Sequence, residues 1–252
     1  MPSILSSFLL ERRTAIVTGG ASGIGRAVAL GLASAGAAVI VVDSNGEAAA
    51  AAAAEIGGSS EAATADVTDA DTIENLFADV ARRKSKIDVL FNNAGITRRN
   101  TSLDMSLEDW NAVVAVNMTG MFLCGRAAAR HMTSGASIVN TASVLGLSGG
   151  WYPNIAYQAT KGAVVNMTRS WAVEWAPLGI RVNAIAPGIV RTPFTSALTA
   201  REDLVSKFEA LIPLGRLCEP ADIVGPVLFL ASDASAMVTG HTLPIDGGML
   251  AQ

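Results

Sequence analysis

The stretch Thr18-Gly19-Gly20-Ala21-Ser22-Gly23-Ile24-Gly25 constrains this chain more than any other. A short apolar, partly β-branched run, Thr14-Ala15-Ile16-Val17, leads into it, and a helical pattern follows through Leu32 and stops near Gly36. Strand, glycine-rich turn and helix in that order let a backbone approach a pyrophosphate closely. The helix N-terminus then offers free N–H groups and a positive dipole end. Three glycines alone are weak evidence, since tight turns also use them; the flanking strand and helix are the context a dinucleotide site requires.

A second run, Ala38-Val39-Ile40-Val41-Val42, is apolar throughout, as a parallel strand covered on both faces should be. It ends at Asp43, near the roughly 20-residue spacing expected for a carboxylate that binds the adenosine ribose. Such a carboxylate accepts from ribose hydroxyls and repels a 2′-phosphate. Ser44 and Asn45 follow, with no cation to neutralise that phosphate, so NAD is expected over NADP. Asp43 also suits the cap of the next helix, and both roles are compatible.

Strands and helices then alternate. Helices are expected over Glu47–Ile56, over Asp69–Lys84 with Asp69 or Thr68 as cap, over Ser106–His131, through Tyr157 to Trp175, and from Glu219-Pro220 to Ala231. A third strand precedes Ala65, and further strands are expected at Ile87–Phe91, Ala136–Asn140, Ile180–Ile185 and Thr242–Ile245. No fixed-period repeat or linker interrupts the alternation, which gives one parallel-sheet α/β domain over residues 1–252. The helix from Ser106 is apolar on most sides between Val113 and Leu123, which suggests burial against another element or subunit. Asn117 is its polar exception, either bonded to backbone or functional.

Composition bounds the partners. With 252 residues, 50% hydrophobic, the chain can bury a large core. A net charge of −4 and a pI of about 5.2 argue against nucleic acid or an anionic membrane as partner. Cys124 and Cys218 sit far apart and in no metal-ligand pattern, consistent with reduced thiols in the cytoplasm. The opening Ile4–Leu10 is apolar but short and has no basic residue before it; it reads as a surface lead-in, not a signal peptide. No uncharged apolar run is long enough to span a bilayer.

Tyr157 and Lys161 carry the chemistry. Four residues apart on a helix, they share one face. A phenol has a reference pKa of about 10, and an ammonium beside it favours the phenolate. The pair is a plausible proton-transfer device, although an isolated Tyr-xxx-Lys is as readily a solvated surface pair. Tyr152 is a rival base, but residue 156 is Ala, so no lysine lies a turn on.

Thr18-Gly19-xxx-Gly23-x-Gly25, Asp66-Val67, Asn92-Asn93-Ala94-Gly95, Asn117, Ser143, Tyr157-xxx-Lys161, Pro187-Gly188 and Asp246-Gly247-Gly248 together resemble the short-chain dehydrogenase/reductase family over nearly the whole chain. The resemblance implies a doubly wound Rossmann fold with a seven-stranded parallel sheet flanked by helices, and a homotetramer built partly from the two long helices. It implies Tyr157 as general acid/base, with Lys161 lowering its pKa and holding the nicotinamide ribose. Ser143 would bond the substrate oxygen, and Asn117 would support a water linking Lys161 to solvent. Gly19, Ser22, Gly23, Ile24, Gly25, Asp43, Asp66, Val67, Asn93, Ala94 and Gly95 would hold the dinucleotide, with Pro187, Gly188, Ile189 and Thr192 at its nicotinamide end. No metal is implied.

The substrate is expected to be a small alcohol or ketone. Gly95-Ile96-Thr97-Arg98-Arg99 and the tail Gly247-Gly248-Met249-Leu250-Ala251-Gln252 look similar to the family's sugar-acid dehydrogenases. Arginine suits a carboxylate, so Arg98, or Arg99, is a candidate anchor beside Ser143, Leu145, Trp151 and Tyr157, although two solvated loop arginines read equally well. Val144 and Phe194 are further candidates for the pocket wall, and Thr192–Leu211 is expected to be an irregular lid. Three readings stay open: an NAD-dependent dehydrogenase of a polyol or sugar acid, a reductase of 3-oxoacyl chains on acyl carrier protein, and a non-catalytic dinucleotide-binding protein. Asp43 counts against the second and the intact Ser143, Tyr157, Lys161 and Asn117 against the third.

Overall fold

A computed structural model describes residues 4–252; the first three residues of the expected 1–252 domain lie outside it. Its centre is a seven-stranded parallel sheet of order β3-β2-β1-β4-β5-β6-β7. The strands are β1 (Thr14–Thr18), β2 (Ala38–Asp43), β3 (Glu61–Thr64), β4 (Ile87–Asn92), β5 (Met132–Thr141), β6 (Arg181–Pro187) and β7 (Thr242–Ile245). Successive strand residues point to opposite faces, and both faces are covered. Ala15, Val17, Val39, Val41, Val89 and Phe91 pack under α1 (Gly23–Ser34), α2 (Gly46–Ile56) and a later helix of residues 220–231. Ile16, Ile40, Val42, Leu90, Ile138 and Val182 pack under α3 (Ala70–Lys84) and the two long helical segments beyond β4 and β5. Strand order reverses between β1 and β4, where a crevice opens at the carboxyl ends of the strands.

The helix expected over Ser106–His131 is present but not uniform. Ser106 caps α4 (Leu107–Val114) by accepting from Asp109 N at 3.0 Å, Ala115–Gly120 is π-helical, and α5 (Met121–His131) continues. Asn117 explains the widened turn. Its Oδ1 accepts from Ile96 N at 2.8 Å and its Nδ2 donates to Ile96 O at 2.9 Å, so the side chain pins the turn to the loop after β4. Taken as one helix, Leu107–His131 has the length and mean hydropathy, 1.4, to cross a bilayer, but half of that window is buried inside the protein.

α6 (Ile155–Trp175) carries Tyr157 and Lys161. β5 begins at Met132, earlier than expected, because Met132 pairs with Ile87 before a register irregularity carries the exposed Thr133-Ser134-Gly135 past the edge. Residues 192–211 are helical rather than irregular, holding a 3₁₀ turn at Pro193–Thr195, α7 (Ser196–Thr199) and α8 (Glu202–Glu209). α9 (Pro220–Ala231) starts in a capping box between Glu219 and Asp222 and packs on α1. The lead-in is a 3₁₀ turn, Ile4–Phe8, whose Phe8 ring lies 6.5 Å from Phe229.

Candidate active site

The crevice holds a cavity of about 420 Å³. Its floor is the glycine turn. Gly20 N donates to Val42 O at 3.2 Å and Ala21 N to the Asp43 carboxylate at 3.2 Å, so the turn is tied to the end of β2. Asn93, at the end of β4, clamps it from the other side by donating through Nδ2 to Thr18 O and Gly19 O at 3.2 and 3.3 Å. Gly25 does not face the cavity; its role is closeness. A Cβ there would lie 2.0 Å from Gly19 O, so only glycine lets α1 start against the turn.

Ser22, Gly23 and Ile24 line the cavity at the start of α1, and no side chain caps that helix. The uncapped N–H groups form an anion cradle. Asp43 lines the next part of the wall, then Asp66 and Val67, then Ala94 and Gly95. The Asp66 carboxylate is held by Thr68 N at 2.9 Å. A glycine-walled cradle with a carboxylate at the end of β2 fits the pyrophosphate and ribose of a dinucleotide.

The catalytic candidates lie at the other end. Tyr157, Lys161 and Ser143 all line the cavity, with Pro187, Gly188, Ile189 and Thr192 beside them. The four-residue spacing therefore does put the phenol and the amine on one face. Lys161 is 2% exposed, donates to Thr141 O at 2.6 Å and lies 5.4 Å from the centroid of the Tyr157 ring. Burial pushes Lys161 down to about 8. Burial pushes the Tyr157 phenol above its ordinary value, and neighbouring Tyr152 adds to this; a hydrogen bond with Ser143 and the charge of Arg99 pull it back. Burial outweighs the lowering by Ser143 and Arg99. Ser143 is fixed by accepting from Leu145 N at 3.1 Å. Asn117 is fully buried beneath the site and does not face the cavity, and its Nδ2 reaches Thr160 Oγ1 at 3.3 Å.

Of the substrate candidates, Leu145 and Trp151 line the cavity, and Arg98 does not. Arg98 turns outward, half-exposed, to Asp109 at 3.3 Å. Arg99 enters instead. Its Nη2 donates to Phe194 O at 3.4 Å, and its Nε is buried with no hydrogen-bond partner among the described residues. Burial pushes the Tyr152 phenol up while the Arg99 guanidinium pulls it down, and the Phe194 ring lies 5.8 Å from that of Tyr157. Sequence reasoning missed Asn154, which is buried at the wall and accepts from Thr97 Oγ1 at 3.1 Å. Its only signal was its place just before α6. It also missed Val42, Ile96 and Val116, apolar wall residues that nothing distinguishes from core.

A family model described as enoyl-(acyl carrier protein) reductase matches residues 19–250. The 2-dehydro-3-deoxy-D-gluconate 5-dehydrogenase of Escherichia coli is 40% identical over 99% of this chain and 100% of its own. A 3-oxoacyl-[acyl-carrier-protein] reductase of Thermotoga maritima is 41% identical over 96% of this chain and 99% of its own. Among solved structures, a gluconate 5-dehydrogenase from Burkholderia cenocepacia in complex with NADP and tartrate superposes with a TM-score of 0.95. It is 35% identical and covers 99% of this chain and 100% of its own. With the strand order, the glycine cradle and the Ser143, Tyr157 and Lys161 cluster already in place, these likenesses mean that the chain belongs to the short-chain dehydrogenase/reductase family of oxidoreductases.

Proposed function

We propose that this chain is an NAD-dependent dehydrogenase that interconverts a secondary alcohol and a ketone on a polyol or, above all, a sugar acid. The observation that carries the acid is Arg99, which lines the same cavity as Tyr157 and whose buried Nε has no hydrogen-bond partner among the described residues. A carboxylate is the natural acceptor for that guanidinium, and a buried donor left unpaired is costly. The relative from Escherichia coli and the Burkholderia structure are named for sugar acids, which supports the same reading.

A nicotinamide dinucleotide is the cofactor class. Gly19, Ser22, Gly23 and Ile24 would hold its pyrophosphate, Asp43 its adenosine ribose, Asp66, Val67, Asn93, Ala94 and Gly95 the adjoining wall, and Lys161, Pro187, Gly188, Ile189 and Thr192 its nicotinamide half. When bound, it supplies the hydride acceptor or donor. Asp43 favours NAD because a 2′-phosphate would meet its carboxylate. The Burkholderia structure holds NADP, so the preference rests on Asp43 alone.

Tyr157 takes the alcohol proton, or returns it to a carbonyl. Ser143 bonds the same substrate oxygen as charge grows on it, a contact that strengthens toward the transition state. Lys161, held by Thr141 O, keeps a positive charge under the phenol ring and anchors the cofactor ribose. Asn117 acts through position by fixing the loop that carries Ile96 and, three residues on, Arg99. The likeness to a 3-oxoacyl-carrier-protein reductase supports a second reading, reduction of carrier-bound 3-oxoacyl chains with NADPH. We place the enzyme in the cytoplasm, in keeping with two free, buried cysteines.

The test is a substrate panel of simple alcohols, polyols, sugar acids and a 3-oxoacyl thioester, each with NAD(H) and NADP(H), followed by nicotinamide absorbance. Sugar-acid oxidation with NAD preferred is expected. Preference for NADPH and the thioester would replace this reading with the second.

A further inference from the structure

Behind the wall formed by Arg99, Trp151 and Tyr152 lies a second cavity of about 670 Å³. Those three residues line both cavities, so the two spaces share a partition rather than lying apart. The second has a different chemistry from the first. Pro153, Leu198, Leu204, Phe208 and Leu211 supply apolar walls, and the Phe208 ring packs edge-on to Tyr152 at 6.0 Å. No acidic residue lines it. Its one further charge is Lys207 on α8, which ends in no ion pair among the described residues.

A sugar acid carries a hydroxyl on nearly every carbon. Placed against leucine and phenylalanine, those hydroxyls would lose water and gain nothing in return. An alkyl body gains from the same walls, because each CH₂ buried there leaves water. A carboxylate at its far end would meet Lys207 with no competing acid on the lining.

We infer that the second cavity is a substrate chamber for an apolar hydroxy acid, so that the enzyme also oxidises medium-chain carboxylates bearing a secondary hydroxyl near the end opposite the carboxylate. This rests on reading the first cavity as the site of dinucleotide-dependent alcohol oxidation. The carbinol lies at Tyr157 and Ser143, the alkyl chain runs along Trp151, which borders both spaces, and the carboxylate reaches Lys207. The carbinol C–H gives its hydride to oxidised nicotinamide, and the O–H proton leaves through Tyr157 to solvent. The product is the keto acid and the reduced cofactor.

Calorimetric titration of octanoate into the full chain saturated with NADH tests the chamber without turnover. Octanoate should bind, and both Leu204→Trp, which fills the chamber, and Lys207→Gln should weaken it by about tenfold or more. Lys207 is exposed, so that variant tests the idea even where the tryptophan disturbs α8. In turnover, Leu204→Trp should raise the KM for 7-hydroxyoctanoate at least about fivefold more than that for butan-2-ol. Lys207→Gln should raise the KM for 7-hydroxyoctanoate but not for octan-2-ol. No binding of octanoate, or binding equal in wild type and both variants, overturns the chamber. Failure to oxidise any alcohol overturns instead the reading of the first cavity, while the titration still decides the second.

Discussion

Lys161 is held almost out of water by one carbonyl, Thr141 O, and the fold carries that burden for the sake of the site. Its drop from 10.5 to about 8 is caused by burial and corresponds to roughly 3 kcal/mol against the folded state near neutrality. Because the folded value lies below the unfolded one, the unfolded chain holds more protons between about pH 8 and 10.5, so this contribution to stability improves as pH rises. The Cys124 thiol, pushed up to about 12 by burial, acts in the opposite sense above about pH 9, so the comparison must be with a variant. The stability of Lys161→Met relative to wild type should therefore be greatest near pH 7 and shrink by about 1–2 kcal/mol by pH 9.5, measured by urea unfolding. A difference independent of pH would mean that Lys161 is not buried as a cation. At the same scale, Tyr157→Phe should lower kcat by roughly 10²–10⁴ while titration still shows NADH bound. Arg99→Ala should raise the KM for sugar acids by about tenfold to a hundredfold, the worth of a hydrogen bond to a charged group, and leave neutral polyols nearly unaffected. Arg98→Ala, which removes only the exposed pair with Asp109, should do neither.

Where α1 meets the glycine turn, two local rules conflict. Alanine is the better helix former, by about 1 kcal/mol over glycine. At position 25 its Cβ would lie 2.0 Å from Gly19 O and 2.8 Å from Asn93 Nδ2, and neither atom belongs to a flexible side-chain end free to swing away. Contact should win over propensity. Gly25→Ala should lower the melting temperature by several degrees and weaken dinucleotide binding by about tenfold or more, read by thermal unfolding with and without NADH. The same contrast explains what the sequence revealed of the elements. The glycine turn, the buried strands β1, β2 and β4, and the Tyr157–Lys161 face were legible because local pattern and tertiary role agree there. The π-helical turn at Ala115–Gly120 was not, since its cause is the bond between Asn117 and Ile96, a contact across 21 residues. Nor was the choice between Arg98 and Arg99. Adjacent residues on an extended loop point opposite ways, and only the positions of Asp109 and Phe194 decide which one enters the cavity. The helices of residues 193–209 were hidden because they are short and begin at Pro193 after a stretch without period.

On the scale of the whole molecule, α5 and α6 leave large apolar side chains exposed. Phe122 is 41% exposed and Val173 is 78% exposed. The Phe122 ring lies 6.4 Å from that of Trp171, which stacks at 4.8 Å on Trp175. Arg126 covers Phe122 at 5.3 Å, and its Nε is buried without a hydrogen-bond partner among the described residues. Aromatic side chains and arginine on an apolar face are the composition of an interface core rather than of a solvated helix. We propose that this face joins copies of the chain and that the working enzyme is a homotetramer. Light scattering coupled to gel filtration should then report four times 25.8 kDa. Phe122→Asp together with Val173→Asp places charge where like helices would meet, and should shift that mass to a dimer or monomer while circular dichroism stays unchanged. A wild-type mass of one chain, or a tetramer indifferent to both aspartates, would remove α5 and α6 as the interface and leave Phe122 as an ordinary exposed aromatic.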